Sequence, residues 1–176
     1  MKSVAIIGTR QPDTLQYQYA EELAEHLSHT FGVTIVTGGA YGIDQAAMAG
    51  ALKPLLEVYL PWSTYNEHLV PADAGKIVVT NPTVHRQWFE SVNRYHPNPA
   101  AVTTRGVRAL HARNFGIVTG RDLVIAFPSD TGGGGTGQGI RIAEGESVPV
   151  LSFVRHGRLP AFVTVLHDVL TRLGLN

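Results

Sequence analysis

The chain has 176 residues with 14 basic and 14 acidic side chains, no cysteine and a formal net charge of zero. That length suits one large hydrophobic core. The missing cysteines exclude disulfides, thiolate catalysis and cysteine-ligated zinc, and the balanced charge gives no global attraction to nucleic acid. No stretch approaches the roughly 20 apolar residues that span a bilayer, and the apolar run after Met1-Lys2-Ser3 is too short for the core of a signal peptide. The expectation is a cytoplasmic protein with no membrane contact.

Val4-Ala5-Ile6-Ile7 reads as a strand running into Gly8-Thr9-Arg10, with Asp13 placed to cap a helix. In that helix Leu15, Tyr19, Leu23 and Leu27 recur every four residues, with Glu21, Glu22 and Glu25 between them, giving one apolar stripe and one wet face. His26 and His29 sit three apart, but no acid or third histidine joins them, so no metal site is expected. Val33 to Thr37 is a second strand. It leads into Gly38-Gly39-Ala40-Tyr41-Gly42-Ile43-Asp44 and the helix-like Gln45 to Leu52. Leu55 to Pro61 and Ile77 to Thr80 are further strands.

Residues 81–108 are the least regular part and read as a helical insertion. Trp88, Phe89 and Tyr95 lie there among His85, Arg86, Arg94, His96, Arg105 and Arg108, with Pro97-Asn98-Pro99 between two helices. Such a mixture can stack bases and contact phosphate; equally, Trp88, Phe89 and Val92 form the buried side of an ordinary helix, which the spacing favours. Leu123 to Phe127 is another buried strand, followed by Pro128 and the cluster Ser129-Asp130-Thr131-Gly132-Gly133-Gly134-Gly135-Thr136-Gly137-Gln138-Gly139. A helix is expected to start near Ile140, a strand at Val148 to Phe153, and a last helix after Pro160. Phe162, Val163, Leu166, Val169, Leu170 and Leu173 form the apolar face of that helix.

The alternation of strands and helices predicts an α/β fold: a Rossmann-like three-layer sandwich with a mainly parallel sheet, as a single domain over residues 1–176. Three strand ends carry Gly with Thr, Arg or Asp. In an open parallel sheet, ligands bind beyond the carboxyl ends of the strands, and a glycine turn into a helix aims free N–H groups and a positive dipole end at an anion.

Val4 to Arg10, and Val36 to Asp44 with Ala46-Ala47 and Ala51-Leu52 after it, resemble the Rossmann domain of the DNA-processing protein A (DprA/Smf) family. That family lies in the SLOG superfamily, with the LOG-type, lysine decarboxylase-like phosphoribohydrolases. His111 to Val118, with the strand to Phe127, resembles the Arg-Asn helix that precedes the last nucleotide-binding strand, and Gly133-Gly134-Gly135-Thr136 takes the place of the Gly-Gly-x-Gly-Thr turn. The likeness covers most of the chain, and residues 62–105 match only loosely.

The resemblance implies a nucleotide-shaped crevice without a further cofactor. Gly8, Gly38 and Gly39 would let the backbone approach a ligand, beside Thr9. Arg10 and Arg113 would clamp phosphate, next to Asn114. Asp44 would either cap its helix or bind a ribose hydroxyl. Gly133, Gly134, Gly135, Thr136 and Gln138 would close the other side. The implied function is binding of a nucleotide, a nucleotide-derived ligand or single-stranded DNA. A homodimer or higher homo-oligomer would form through the last helix or the Trp88 segment. The alternative is a LOG-type enzyme that releases the base from a nucleoside monophosphate. That chemistry needs a Glu shortly after the Gly-Thr turn, and here Gly137, Gln138 and Gly139 follow, with Glu144 two turns away. An amide cannot serve as the anion or base of such a step.

Overall fold

A parallel sheet is built of strands, the inner ones with no wet face, and must be covered on both sides. A computed structural model, which describes residues 1–154 and 158–175, contains six of them: β1 (Ser3–Gly8), β2 (Thr34–Gly38), β3 (Leu56–Leu60), β4 (Lys76–Val79), β5 (Leu123–Phe127) and β6 (Val150–Ser152). They form one all-parallel sheet in the order β4-β3-β2-β1-β5-β6. The chain therefore winds outward from β1 in one direction, returns, and continues from β5 in the other. β1 and β5 are neighbours in register, Ile6 beside Ile125 and Gly8 beside Phe127. The gap beyond their carboxyl ends is the topological switch point of the sheet.

Six α-helices cover the sheet: α1 (Thr14–Glu25), α2 (Ile43–Gly50), α3 (Arg86–Tyr95), α4 (Arg105–Val118), α5 (Gly134–Gly145) and α6 (Phe162–Leu173). Alternate side chains of each strand go to opposite layers. Val4, Ile6, Ile35 and Ile125 pack with α1, α2 and α6, whereas Ala5, Ile7, Val36 and Val124 pack with α4 and α5. This is a single α/β domain of the Rossmann-like three-layer type.

Local chemistry fixes the ends of these helices. Asp13 accepts from the Gln16 N–H at 2.8 Å, and Gln16 Oε1 accepts from the Asp13 N–H at 3.2 Å, a reciprocal cap. Thr104 caps α4 by accepting from the Val107 N–H. α1 and α2 approach closely because residue 50 is glycine: a Cβ there would fall inside van der Waals contact of the Glu21 carbonyl oxygen.

The structure corrects several readings from sequence. α5 begins at Gly134, six residues before Ile140, so the glycines are its first turn and not a loop ahead of it. On α6, Val163 is 71% exposed, and Val165, Val169 and Leu173 are the buried positions. Val163 lies on the side of the helix turned away from the sheet. Leu15 is likewise exposed at the start of α1, while Tyr19, Leu23 and Leu27 are buried. The reading of Trp88 that its helical spacing favoured holds: its indole stacks on His85 at 3.9 Å and fills the space left by Gly116 on α4. Phe162, Leu166 and Leu170 on α6, and Trp88, are partly buried against the core. His26 carries its own local contacts, donating from Nδ1 to the Glu22 carbonyl at 2.9 Å and meeting the Phe162 ring edge-on.

Candidate functional site

The switch point holds a cavity of about 500 Å³ built by four segments distant in sequence. The end of β1 supplies Ile7, Gly8, Thr9 and Arg10. The turn into α2 supplies Ala40 and Asp44. One face of α4 supplies Leu110, His111, Arg113, Asn114, Ile117 and Val118. The start of α5 supplies Gly133, Gly134, Gly135 and Thr136, with Ser129 ahead of it. Backbone bonds lock these turns together: the Thr9 N–H donates to the Phe127 carbonyl at 2.8 Å, and the Ile43 N–H donates to the Thr9 carbonyl at 3.1 Å. Gly42, at φ +81° and directly against the Thr9 and Arg10 backbone, admits this crossing where a side chain could not fit.

Arg113 and Asp44 form the floor. Arg113 is 7% exposed, and its Nε and Nη1 have no hydrogen-bond partner among the described residues. Its guanidinium stands 5.6 Å from the Tyr65 ring centroid. Asp44, 6% exposed, accepts from the Ala40 N–H at 3.2 Å and does not cap α2, whose N-cap is Gly42 with no side-chain bond. Burial pushes the Asp44 carboxyl above its ordinary range, against the opposing influence of Arg113, the Ala40 N–H, Thr37 and Arg10. Above the floor, Arg10 Nη2 reaches the Tyr65 hydroxyl at 3.5 Å. No side chain caps α5, and its first-turn residues Gly134, Gly135 and Thr136 line the cavity, which puts the positive end of its dipole at the cavity wall.

Ten of the thirteen residues singled out in the sequence meet at this cavity; Gly38, Gly39 and Gln138 do not line it. Gly38 lies one layer behind, where a Cβ would stand 2.5 Å from Asp44 Oδ2 and 2.6 Å from Arg113 Nη1. Its lack of a side chain makes room for that pair. Gly39 makes room for Leu60 in the same way. Gln138 is fully buried beneath α5, where its Oε1 accepts from Asn114 Nδ2 at 3.1 Å and from His111 Nδ1. It ties α4 to α5. His111, in the sequence one residue of the His111 to Val118 motif, is a wall of the cavity, its pKa lowered by burial despite the Gln138 bond. The signal for it is the spacing of residues 110, 111, 113, 114, 117 and 118, which repeats on one helical face.

Chemically, the site is a cationic floor under a ring of amide donors, with one carboxylate, Asp44, among its lining residues. Among the described residues, no group of three or more His, Cys, Asp or Glu is arranged to hold a metal ion, and no helix is long and apolar enough to cross a membrane.

The family model for DNA recombination-mediator protein A matches residues 1–78, which carry the Gly8 and Gly38 turns. The fold is DprA-like. The structure of DNA processing protein A from Helicobacter pylori, described for its single-stranded DNA binding mode, is 22% identical with a TM-score of 0.58, over 96% of this chain and 72% of that one. The molybdenum cofactor binding protein of Rippkaea orientalis is 19% identical with a TM-score of 0.58, over 98% and 83% of the two chains. The molybdenum cofactor carrier protein of Chlamydomonas is 16% identical with a TM-score of 0.56, over 98% of each chain. No curated protein matches the sequence significantly.

Proposed function

We propose that the protein binds a phosphate-bearing ligand, a nucleotide or a nucleotide unit of single-stranded DNA, in the switch-point cavity. The observation that carries this reading is the Arg113 guanidinium, almost fully buried with Nε and Nη1 unpartnered. Buried donors are ordinarily satisfied, and a buried cation ordinarily has an anion. Asp44 stands beside Arg113 as a counter-charge without bonding these donors; a phosphate oxygen seated beneath the first turn of α5 would satisfy them, with Arg10 at the rim.

The H. pylori DNA-binding protein and the R. orientalis cofactor-binding protein share this fold at equal TM-scores, so the fold does not choose between their ligands. The match of residues 1–78 to the recombination-mediator family favours the nucleic-acid side. Base release has no comparable support: the positions after the Gly-Thr turn, Gly137, Gln138 and Gly139, carry no carboxylate, and Gln138 is buried and engaged with His111 and Asn114.

The test is anisotropy of a fluorescein-labelled deoxythymidine hexanucleotide at several salt concentrations, for wild type and Arg113→Ala. Binding should weaken as salt rises, and loss of one phosphate contact should flatten the log–log slope by about 0.7. An Arg113→Ala curve that overlays wild type would remove Arg113 from the site.

A further inference from the structure

A second concavity of about 500 Å³ lies beside the first turn of α4, between the ends of β3 and β4, and its walls include Trp62, Thr80, Phe89, Arg105 and Gly106. Trp62 is 40% exposed, its ring lies over Gly106 with Cζ3 3.6 Å from where a Cβ would stand, and Tyr65 meets it edge-on at 5.2 Å. The indole is thus a flat apolar platform, braced from two sides. Thr80 is 7% exposed and its N–H is spent on the Leu60 carbonyl, but its buried Oγ1 has no hydrogen-bond partner among the described residues. An orphan hydroxyl in the wall of a concavity is a specific polar demand on whatever enters it. Arg108 is tied to the Phe89 carbonyl and Asn93 Oδ1, whereas Arg105 is exposed and has no hydrogen bond or ion pair among the described residues.

Stacking platform, edge hydroxyl and free guanidinium are the three groups by which proteins hold an unpaired nucleotide: base face, base edge and phosphate. Tyr65 contacts residues of both cavities, Trp62 of this one and Arg10 and Arg113 of the first. Seven residues of α4 separate Gly106 from Arg113, about 10 Å at the helical rise, or roughly three stacked nucleotides at 3.4 Å each.

We propose that the Trp62–Thr80–Arg105 concavity is a nucleobase subsite, so that a single strand of about three or more nucleotides lies along α4 with a phosphate at Arg113 and a base on Trp62. This rests on the reading of the first cavity as a phosphate site. A mononucleotide reaches one of the two sites and an oligonucleotide reaches both.

The test titrates the full chain with deoxythymidine 5′-monophosphate and with deoxythymidine hexanucleotide, following tryptophan fluorescence and calorimetry. The hexanucleotide should quench wild-type fluorescence through Trp62. Trp62→Ala should abolish that quenching, leaving the Trp88 signal, and weaken the hexanucleotide about tenfold while leaving the monophosphate unchanged. Trp62→Phe should restore most of the affinity. If Trp62→Ala leaves hexanucleotide affinity intact while Arg113→Ala weakens it, the subsite is overturned and the phosphate cavity stands. If wild type binds neither probe, both fall.

Discussion

Arg113 and Asp44 make opposite demands on the same floor, and each gives a prediction. Arg113→Ala removes a buried, charge-assisted contact to phosphate. Such losses run about 2 kcal/mol or more, so affinity for deoxythymidine 5′-monophosphate by calorimetry should fall at least about thirtyfold, with the circular dichroism spectrum unchanged. Asp44 is held above its ordinary value of 3.8 chiefly by burial. Well below that pH the carboxyl is protonated in folded and unfolded chains alike. As pH rises past it the unfolded chain releases its proton first, so this group lowers stability until the folded carboxyl also ionises. Asp44→Asn keeps an acceptor for the Ala40 N–H and removes that penalty. The variant also takes the neighbouring carboxylate from the buried Arg113, so the pH trend is the diagnostic: its Tm by calorimetry relative to wild type should rise from pH 4 to pH 7, by about 2–4 °C for each kcal/mol. A Tm difference that stays flat between pH 4 and pH 7 contradicts this account of the floor. Gly8 and Arg10 were legible in the sequence because they follow a clear apolar strand, and Arg113 because it stands in the His111 to Val118 motif. Gln138 was not: whether it faces a ligand or the core depends on where α5 starts, and glycines have low helix propensity, so the start looked six residues later than it is.

At the scale of elements, the site depends on helices held at fixed spacing. α1 and α2 touch through Gly50, where the Glu21 carbonyl leaves no space for a methyl group. Gly50→Ala gains helix propensity on α2 yet forces the two helices apart. Overpacking of this kind costs about 1–3 kcal/mol, which should lower the chemical-denaturation midpoint; a midpoint equal to or above wild type would mean that the helices separate freely. The strands and most helices were readable because branched apolar runs and four-residue stripes have only one reasonable burial. Their ends and secondary roles were less so. The tryptophan at 88 and the valine at 163 have the same apolar character, but one fills the hollow over Gly116 and the other faces solvent, a difference set by tertiary neighbours that lie far away in sequence.

For the whole molecule, a chain of zero net charge has no long-range field with which to collect a polyanion. Binding must come from a local set of cations: Arg113 and Arg10 at one cavity and Arg105 at the other. Salt dependence should accordingly be that of a few phosphate contacts, with a log–log slope between about −1 and −2. A slope far steeper than that, measured by anisotropy across salt concentrations, would indicate a broader basic surface. The parallel order of the sheet was legible from the strand–helix alternation, and with it the position of the crevice at the switch point, because that position follows from topology and needs no knowledge of side-chain contacts. The concavity at Trp62 was not: its walls come from the segments after β3 and β4 and from α3 and α4, brought together only by the folded sheet.

The central claim is that turns from β1 and β5, with Arg113 between them, grip one anion. Backbone amide resonances observed during titration with deoxythymidine 5′-monophosphate test it most directly. The account predicts saturable shifts concentrated at Gly8, Thr9, Arg10, Gly134, Gly135 and Thr136, all abolished by Arg113→Ala. Shifts clustered on another face of the sheet, or a spectrum unmoved at millimolar ligand, would contradict it.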